Sequence, residues 1–257
     1  MGLSILTQKI EAARAAGRTA LIPFLPGGYP DQTRFWEEME GLDTSGADII
    51  EIGVPFSDPV ADGPVVEEAS LACLEHGISL QWILDGLKSR PTRFQAAIVL
   101  MGYYNPFLQY GLEAFASDAA EAGVSGCIIP DLPLEESAPL REALAKKGLA
   151  LVYLVGLNTE PERLDLYARH AAGFVYFVSV LGTTGVRELL PEEIAGRLKV
   201  AKERLGLPIA LGFGLKSPDQ LKALGGLADA AVFGSALISH VKSGRPAAEF
   251  MARWQGA

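Results

Sequence analysis

The sequence predicts an α/β fold, a single (β/α)8 barrel of the TIM-barrel type with one extra N-terminal helix, and three observations lead there. Eight short apolar runs have the length and β-branched content of buried parallel strands: Ala20–Leu25, Ile49–Val54, Ala96–Met101, Gly126–Ile129, Leu149–Val155, Phe174–Val178, Ile209–Leu211 and Ala230–Phe233. They alternate with segments long or periodic enough for amphipathic helices, which implies right-handed βαβ units around a parallel sheet. The whole alternation fits 257 residues without a composition break, so residues 1–257 read as one domain. An open doubly wound sheet competes with the barrel, but no GxGxxG turn follows the first strand.

A helix over Leu3–Ala16 precedes the first strand, with Leu3, Leu6, Ile10 and Ala13 at helical spacing, and is expected to plug the barrel bottom. Helices are then expected over Asp31–Ser45, Leu80–Lys88, Leu112–Ala122, Glu135–Lys147, Glu160–His170, Pro191–Leu205, Ser217–Leu224 and the segment after Ser235. Ser217-Pro218-Asp219-Gln220 reads as an N-cap, a proline at the first helical position and a Gln able to complete a capping box. No longer repeat, low-complexity stretch or linker interrupts the series.

With 49% hydrophobic and 21% charged residues, the chain has the composition of a globular domain with a large core. A net charge of −9 and no Lys/Arg run argue against nucleic-acid binding. Anionic ligands would have to be held locally, as backbone amides at helix N-termini can do. Cys73 and Cys127 have neither zinc-ligand nor CxxC spacing and read as buried reduced thiols. No apolar run reaches the roughly 18 residues that span a bilayer, and the first residues lack signal-peptide organisation. The expected location is the cytoplasm.

The second strand carries the most informative residue. Alternation puts Ile50, Ile52 and Val54 on one face and Ile49, Glu51 and Gly53 on the other, which in a barrel is the inside. An unpartnered carboxylate there would cost several kcal/mol, and none of the eight runs contains a Lys or Arg to pair it. Asp62 follows in a proline-stiffened loop; alone, Asp62-Gly63-Pro64 is also ordinary turn chemistry. In such barrels the reacting groups sit at the C-terminal strand ends, where both acids fall.

Gly212-Phe213-Gly214 after the seventh run and Gly234-Ser235 after the eighth match the usual phosphate position of these barrels, or else are tight turns without a ligand. Leu181–Arg187, rich in small residues, reads either as a lid that closes over the site or as an ordinary surface loop. No lysine lies on a strand run, so a Schiff-base aldolase lacks its nucleophile. His76, His170 and His240 are scattered in helical segments, which leaves a metal-dependent aldolase without its ligands. Ser57-Asp58 lacks a nearby histidine and makes no hydrolase triad. Proton transfer by carboxylates on a phosphorylated substrate remains.

The string Glu51-Ile52-Gly53-Val54-Pro55-Phe56-Ser57-Asp58-Pro59, with Ala61-Asp62-Gly63-Pro64, closely resembles the signature of the tryptophan synthase alpha subunit family. The likeness covers nearly the whole chain. It includes Pro23-Phe24 with Gly28-Tyr29-Pro30, Met101-Gly102-Tyr103-Tyr104-Asn105-Pro106, Pro130-Asp131-Leu132-Pro133-Leu134-Glu135-Glu136, Thr184-Gly185, Gly212-Phe213-Gly214 and Gly234-Ser235. The resemblance implies retro-aldol cleavage of indole-3-glycerol phosphate to indole and glyceraldehyde 3-phosphate, in tryptophan biosynthesis, with no cofactor of the chain's own. It makes Glu51 the proton shuttle and Asp62 the acceptor of the indole N–H. Phe24, Tyr103, Tyr176 and Phe213 would line the substrate pocket, Thr184 would help close the lid, and Gly185, Gly214, Gly234 and Ser235 would hold the phosphate. The implied partner is a PLP-dependent beta subunit in an alpha2beta2 heterotetramer, touching the loop around Pro55 and Asp58.

Two other readings are compatible with the residues. One is a catalytically weak subunit that keeps the ligand site to regulate a beta partner; the other is a different phosphate-binding barrel lyase or isomerase. Four places depart from the family pattern: Pro26 for threonine, Glu67 for glutamine, Thr183 for valine, and Gly156-Leu157 for Ala-Pro. None removes a proposed catalytic group. Glu67, if ionised near Asp62, would add like charge and raise a neighbour's pKa.

Overall fold

The computed structural model describes residues 4–178, 191–212, 218–219 and 226–255, with backbone alone at 191–193. Eight parallel strands close into a barrel in sequence order. They are β1 Ala20–Pro26, β2 Ile49–Gly53, β3 Ala97–Met101, β4 Val124–Ile128, β5 Ala150–Gly156, β6 Val175–Val178, β7 Ile209–Gly212 and β8 Ala230–Phe233. Their residues are almost all buried, because the strands pack side chains both into the barrel and against the helices outside. Each expected run is a strand, shifted by a residue or two; β4 begins at Val124 rather than Gly126.

The helices form the outer layer: α1 Ile5–Ala15, α2 Gln32–Thr44, α3 Pro64–Glu75, α4 Leu80–Ser89, α5 Tyr104–Tyr110, α6 Leu112–Glu121, α7 Ala138–Lys146, α8 Pro161–His170, α9 Pro191–Leu205, α10 Ser235–Lys242 and α11 Ala247–Ala252. Side-chain caps set several starts. The Asp31 carboxylate accepts the Thr33 and Arg34 N–H groups at α2, and the Ser79 hydroxyl accepts the Trp82 N–H at α4. α1 crosses the N-terminal end of the barrel against β1, β3 and β4, with Leu6 and Ile10 fully buried. Its Thr7 hydroxyl donates to the Gly173 carbonyl at 2.6 Å, which seals that end as expected.

Three connections differ from the sequence reading. β2 and β3 are joined by two helices, of which only the second is among those expected; Gly63 caps α3 and Pro64 takes its first position, where no N–H is needed. α5 follows β3 directly and tolerates Pro106 because it falls in the first turn. The helix expected over Glu135–Lys147 is a 3-10 turn, Leu134–Glu136, followed by α7. Pro139 cannot donate to the Glu135 carbonyl, and the buried Ser137 hydroxyl instead donates to the Leu134 carbonyl at 2.7 Å. The last segment is likewise two helices, α10 and α11. Of the helix expected over Ser217–Leu224, only Pro218 and Asp219 are described, and both are helical.

Buried acids tie the bottom of the barrel together. Asp48 accepts the Leu21 N–H at 2.9 Å and a bidentate pair from Arg18 at 2.6 and 2.7 Å. Asp229 accepts the Ile209 N–H at 2.9 Å and the Lys202 ammonium at 2.7 Å. Among the described residues no helix is long and apolar enough to cross a membrane.

Candidate active site

At the C-terminal end of the strands lies a cavity of about 490 Å³. That volume is in the range of small-molecule sites. Glu51 on β2, Asp62 in the loop after it, Phe24 on β1, Met101 on β3, Tyr176 on β6 and Val232 on β8 line it. Two helix N-termini complete the wall: Gly63 to Val66 at the start of α3, and Gly234-Ser235 at the start of α10.

Strand register explains the inward set. Phe24 pairs with Glu51 and Glu51 with Val99, so these positions share one layer of the barrel interior. Glycines leave room for the rings. A Cβ on Gly53 would come within 2.8 Å of the Phe24 ring, and one on Gly234 within 2.9 Å of the same ring from the other side. A Cβ on Gly212 would stand 2.3 Å from the Tyr176 hydroxyl. Phe24 therefore sits in a slot that any side chain at 53 or 234 would narrow.

The electrostatics of the two acids differ. Glu51 is 1% exposed, and neither carboxyl oxygen has a hydrogen-bond partner among the described residues. Burial pushes its pKa up to about 8, and the charge of Asp62 adds to the rise. Asp62 is half-buried; burial raises its pKa to about 6, the neighbouring Tyr103 hydroxyl works against the rise, and the exposed Glu67 on α3 adds to it. Near neutral pH the pair thus holds a protonated Glu51 beside an ionised Asp62. Burial, with the two acids nearby, holds the Tyr176 phenol well above its ordinary pKa, so it stays protonated.

Of the residues singled out in the sequence, Glu51, Asp62, Phe24, Tyr176, Gly234 and Ser235 meet at this one cavity. Tyr103 borders instead an adjoining pocket of about 20 Å³ that it shares with Asp62 and Phe24. Thr184, Gly185, Phe213 and Gly214, with the rest of Leu181–Arg187, lie outside the described residues. Met101, Val232, Val65 and Val66 were missed. Alternation along β3 and β8 could have supplied the first two, and the Gly63-Pro64 start signal the others.

A closed (β/α)8 barrel with an apolar cavity, one proton-bearing buried carboxyl and one ionised carboxylate at its C-terminal face is an enzyme of the acid–base lyase or isomerase class. The sequence profile of the family described as "Tryptophan synthase alpha chain" matches residues 10–254. The tryptophan synthase alpha chain of Solidesulfovibrio magneticus is 65% identical over 256 residues, with both chains covered completely. That of Maridesulfovibrio salexigens is 60% identical over 255 residues, covering 99% of this chain and all of the relative. Among solved structures, Mycobacterium tuberculosis tryptophan synthase superposes with a TM-score of 0.90 at 35% identity, covering 98% of this chain and 97% of that one. Tryptophan synthase subunit alpha from Legionella pneumophila gives 0.89 at 30% identity, with the same coverage. The chain belongs to the tryptophan synthase alpha chain family. It is a lyase of tryptophan biosynthesis, cleaving indole-3-glycerol phosphate, and its family partners with a beta subunit.

Proposed function

We propose that Glu51 and Asp62 carry the cleavage of indole-3-glycerol phosphate to indole and glyceraldehyde 3-phosphate. The observation that supports this most is Glu51 itself: a fully buried carboxyl, without a hydrogen-bond partner among the described residues, facing the cavity and protonated at neutral pH. It gives its proton to indole C3. As the bond from C3 to the glycerol carbon breaks, the hydroxyl on that carbon loses its proton and becomes the aldehyde. The same carboxylate takes that proton back, so one group of near-neutral pKa serves both transfers. Asp62 accepts the indole N–H and stabilises the positive charge that C3 protonation places on the ring.

Phe24 and Tyr176 enclose the indole and glycerol portions, together with Phe213. The phosphate is held by backbone N–H groups at Gly234-Ser235, where the first turn of α10 leaves its amides without intrahelical partners, and by Gly185 and Gly214. Thr184 closes over the acids. The chain uses no cofactor or metal of its own; PLP belongs to the beta subunit, with which it forms an alpha2beta2 heterotetramer in the cytoplasm. Indole release from indole-3-glycerol phosphate, measured with and without a tryptophan synthase beta subunit, tests the reading. Release that the partner accelerates supports it. No release under either condition, with the beta reaction still altered, would leave a regulatory subunit instead.

A further inference from the structure

We propose that Tyr103 is a positioning residue that holds Asp62 and the loop bearing it at the mouth of the cavity, rather than a wall of the indole pocket. The inference rests on the role given to Asp62 above. Tyr103 caps the start of α5 just beyond β3 and is 4% exposed. It does not border the large cavity; the pocket it does border, about 20 Å³, has room for one water and not for an indole.

Its hydroxyl accepts the Ala61 N–H at 2.8 Å, which anchors the loop one residue before Asp62, and the Asp62 carboxylate lies close enough to raise the pKa of the phenol. The ring stacks on Phe56 at the other end of the loop, with centroids 5.3 Å apart and planes at 25°. The Phe56 N–H in turn donates to the Ser70 hydroxyl on α3 at 3.2 Å. Between these anchors Ser57, Asp58 and Val60 are exposed, Val60 at 77%, and Pro59 is the one buried residue. The segment from Phe56 to Asp62 is therefore stapled to Tyr103 at both ends. A carboxylate that must meet an N–H in the transition state depends on such a fixed position, since a small displacement is enough to lose rate.

Asp62 is also faced by Glu51 from β2, by Glu67 from α3 and by the Tyr176 phenol from β6. The Tyr103 hydroxyl beside it favours the ionised carboxylate against both burial and Glu67. Its removal should thus leave a mark on pH dependence that loss of a pocket wall would not.

The test is Tyr103→Phe, which keeps the stacked ring, assayed for indole release between pH 5 and pH 9 in the presence of a beta subunit. Expected is a fall in kcat of about tenfold near pH 7, as the loop bearing Asp62 loses its anchor at Ala61, with KM little changed. The acid limb of the profile should move up by about one pH unit. Added to Asp62→Asn, Tyr103→Phe should cost nothing further. As a second variant, 3-fluorotyrosine placed at position 103 is a stronger donor and should move the limb the other way with the fold kept. A raised KM with an unmoved limb, or additive losses in the double variant, would overturn the proposal while leaving Asp62 in its role. Full activity in Asp62→Asn would overturn both.

Discussion

Replacing Glu51 with Gln should stabilise the folded chain relative to the wild type, and by more as the pH rises. Burial and the Asp62 charge lift the Glu51 pKa from 4.5 to about 8, so the folded state holds this proton more tightly than the unfolded chain does. The wild type is then most favoured below about pH 4.5 and loses stability as the pH climbs towards about 8, where the folded carboxyl ionises. At about 1.4 kcal/mol per pH unit the full span amounts to about 5 kcal/mol. The part that falls between pH 5 and pH 8.5 is roughly 4 kcal/mol. Gln cannot ionise, so any cost of burying its amide is the same at every pH and cancels from the comparison. Urea midpoints of the two proteins at pH 5 and pH 8.5, followed by far-UV circular dichroism and tryptophan fluorescence, measure the gap. A gap between wild type and variant that stays constant over this interval would refute the idea that Glu51 is strained by its own charge. A gap that shrank with rising pH would reverse its sign and be equally fatal.

Two further outcomes follow from the same site and from its opposite end. The profile of kcat/KM for indole release should be bell-shaped, since Asp62 must be ionised and Glu51 protonated; the limbs, near 6 and 8, are apparent values that belong to the coupled pair. A profile flat across that window would contradict the assignment of the two roles. Asp48→Ala, which strips the buried partner from Arg18 and the Leu21 N–H, should cost about 3 kcal/mol in unfolding free energy. Because Asp48 stands at the stabilising end of β2, kcat/KM should be unchanged, and a large loss of turnover in folded protein would show that the two ends of the strand are not independent.

The barrel was legible because its strands are buried on both faces, which leaves near-continuous apolar runs such as Ile49–Val54 that no polar alternation obscures. Glu51 was legible for the same reason: a lone acid in such a run is costly, and the absence of a basic partner could be read directly from the strands. Helices whose start is a turn motif were not. Gly63-Pro64 looks like the end of a loop until the Val65-Val66 pair is seen to lie in the first turn of α3, facing the cavity. The slot around Phe24 was invisible for a different reason. It is made by Gly53 and Gly234, 181 positions apart, and only the closure of β1 against β2 and β8 brings them to the same ring. Tyr103 was found by its motif, but its hydroxyl's hydrogen bond with Ala61 depends on how the loop after β2 folds back, which no spacing in the chain encodes.

The most direct test of Glu51 as the proton shuttle is indole release by wild type and Glu51→Gln at saturating indole-3-glycerol phosphate, with a beta subunit present and substrate binding measured in parallel. The expected result is a variant that binds the substrate about as well as the wild type and releases no indole above background. Wild-type turnover in Glu51→Gln would contradict it, and with it the assignment of the buried carboxyl as the group that protonates indole C3.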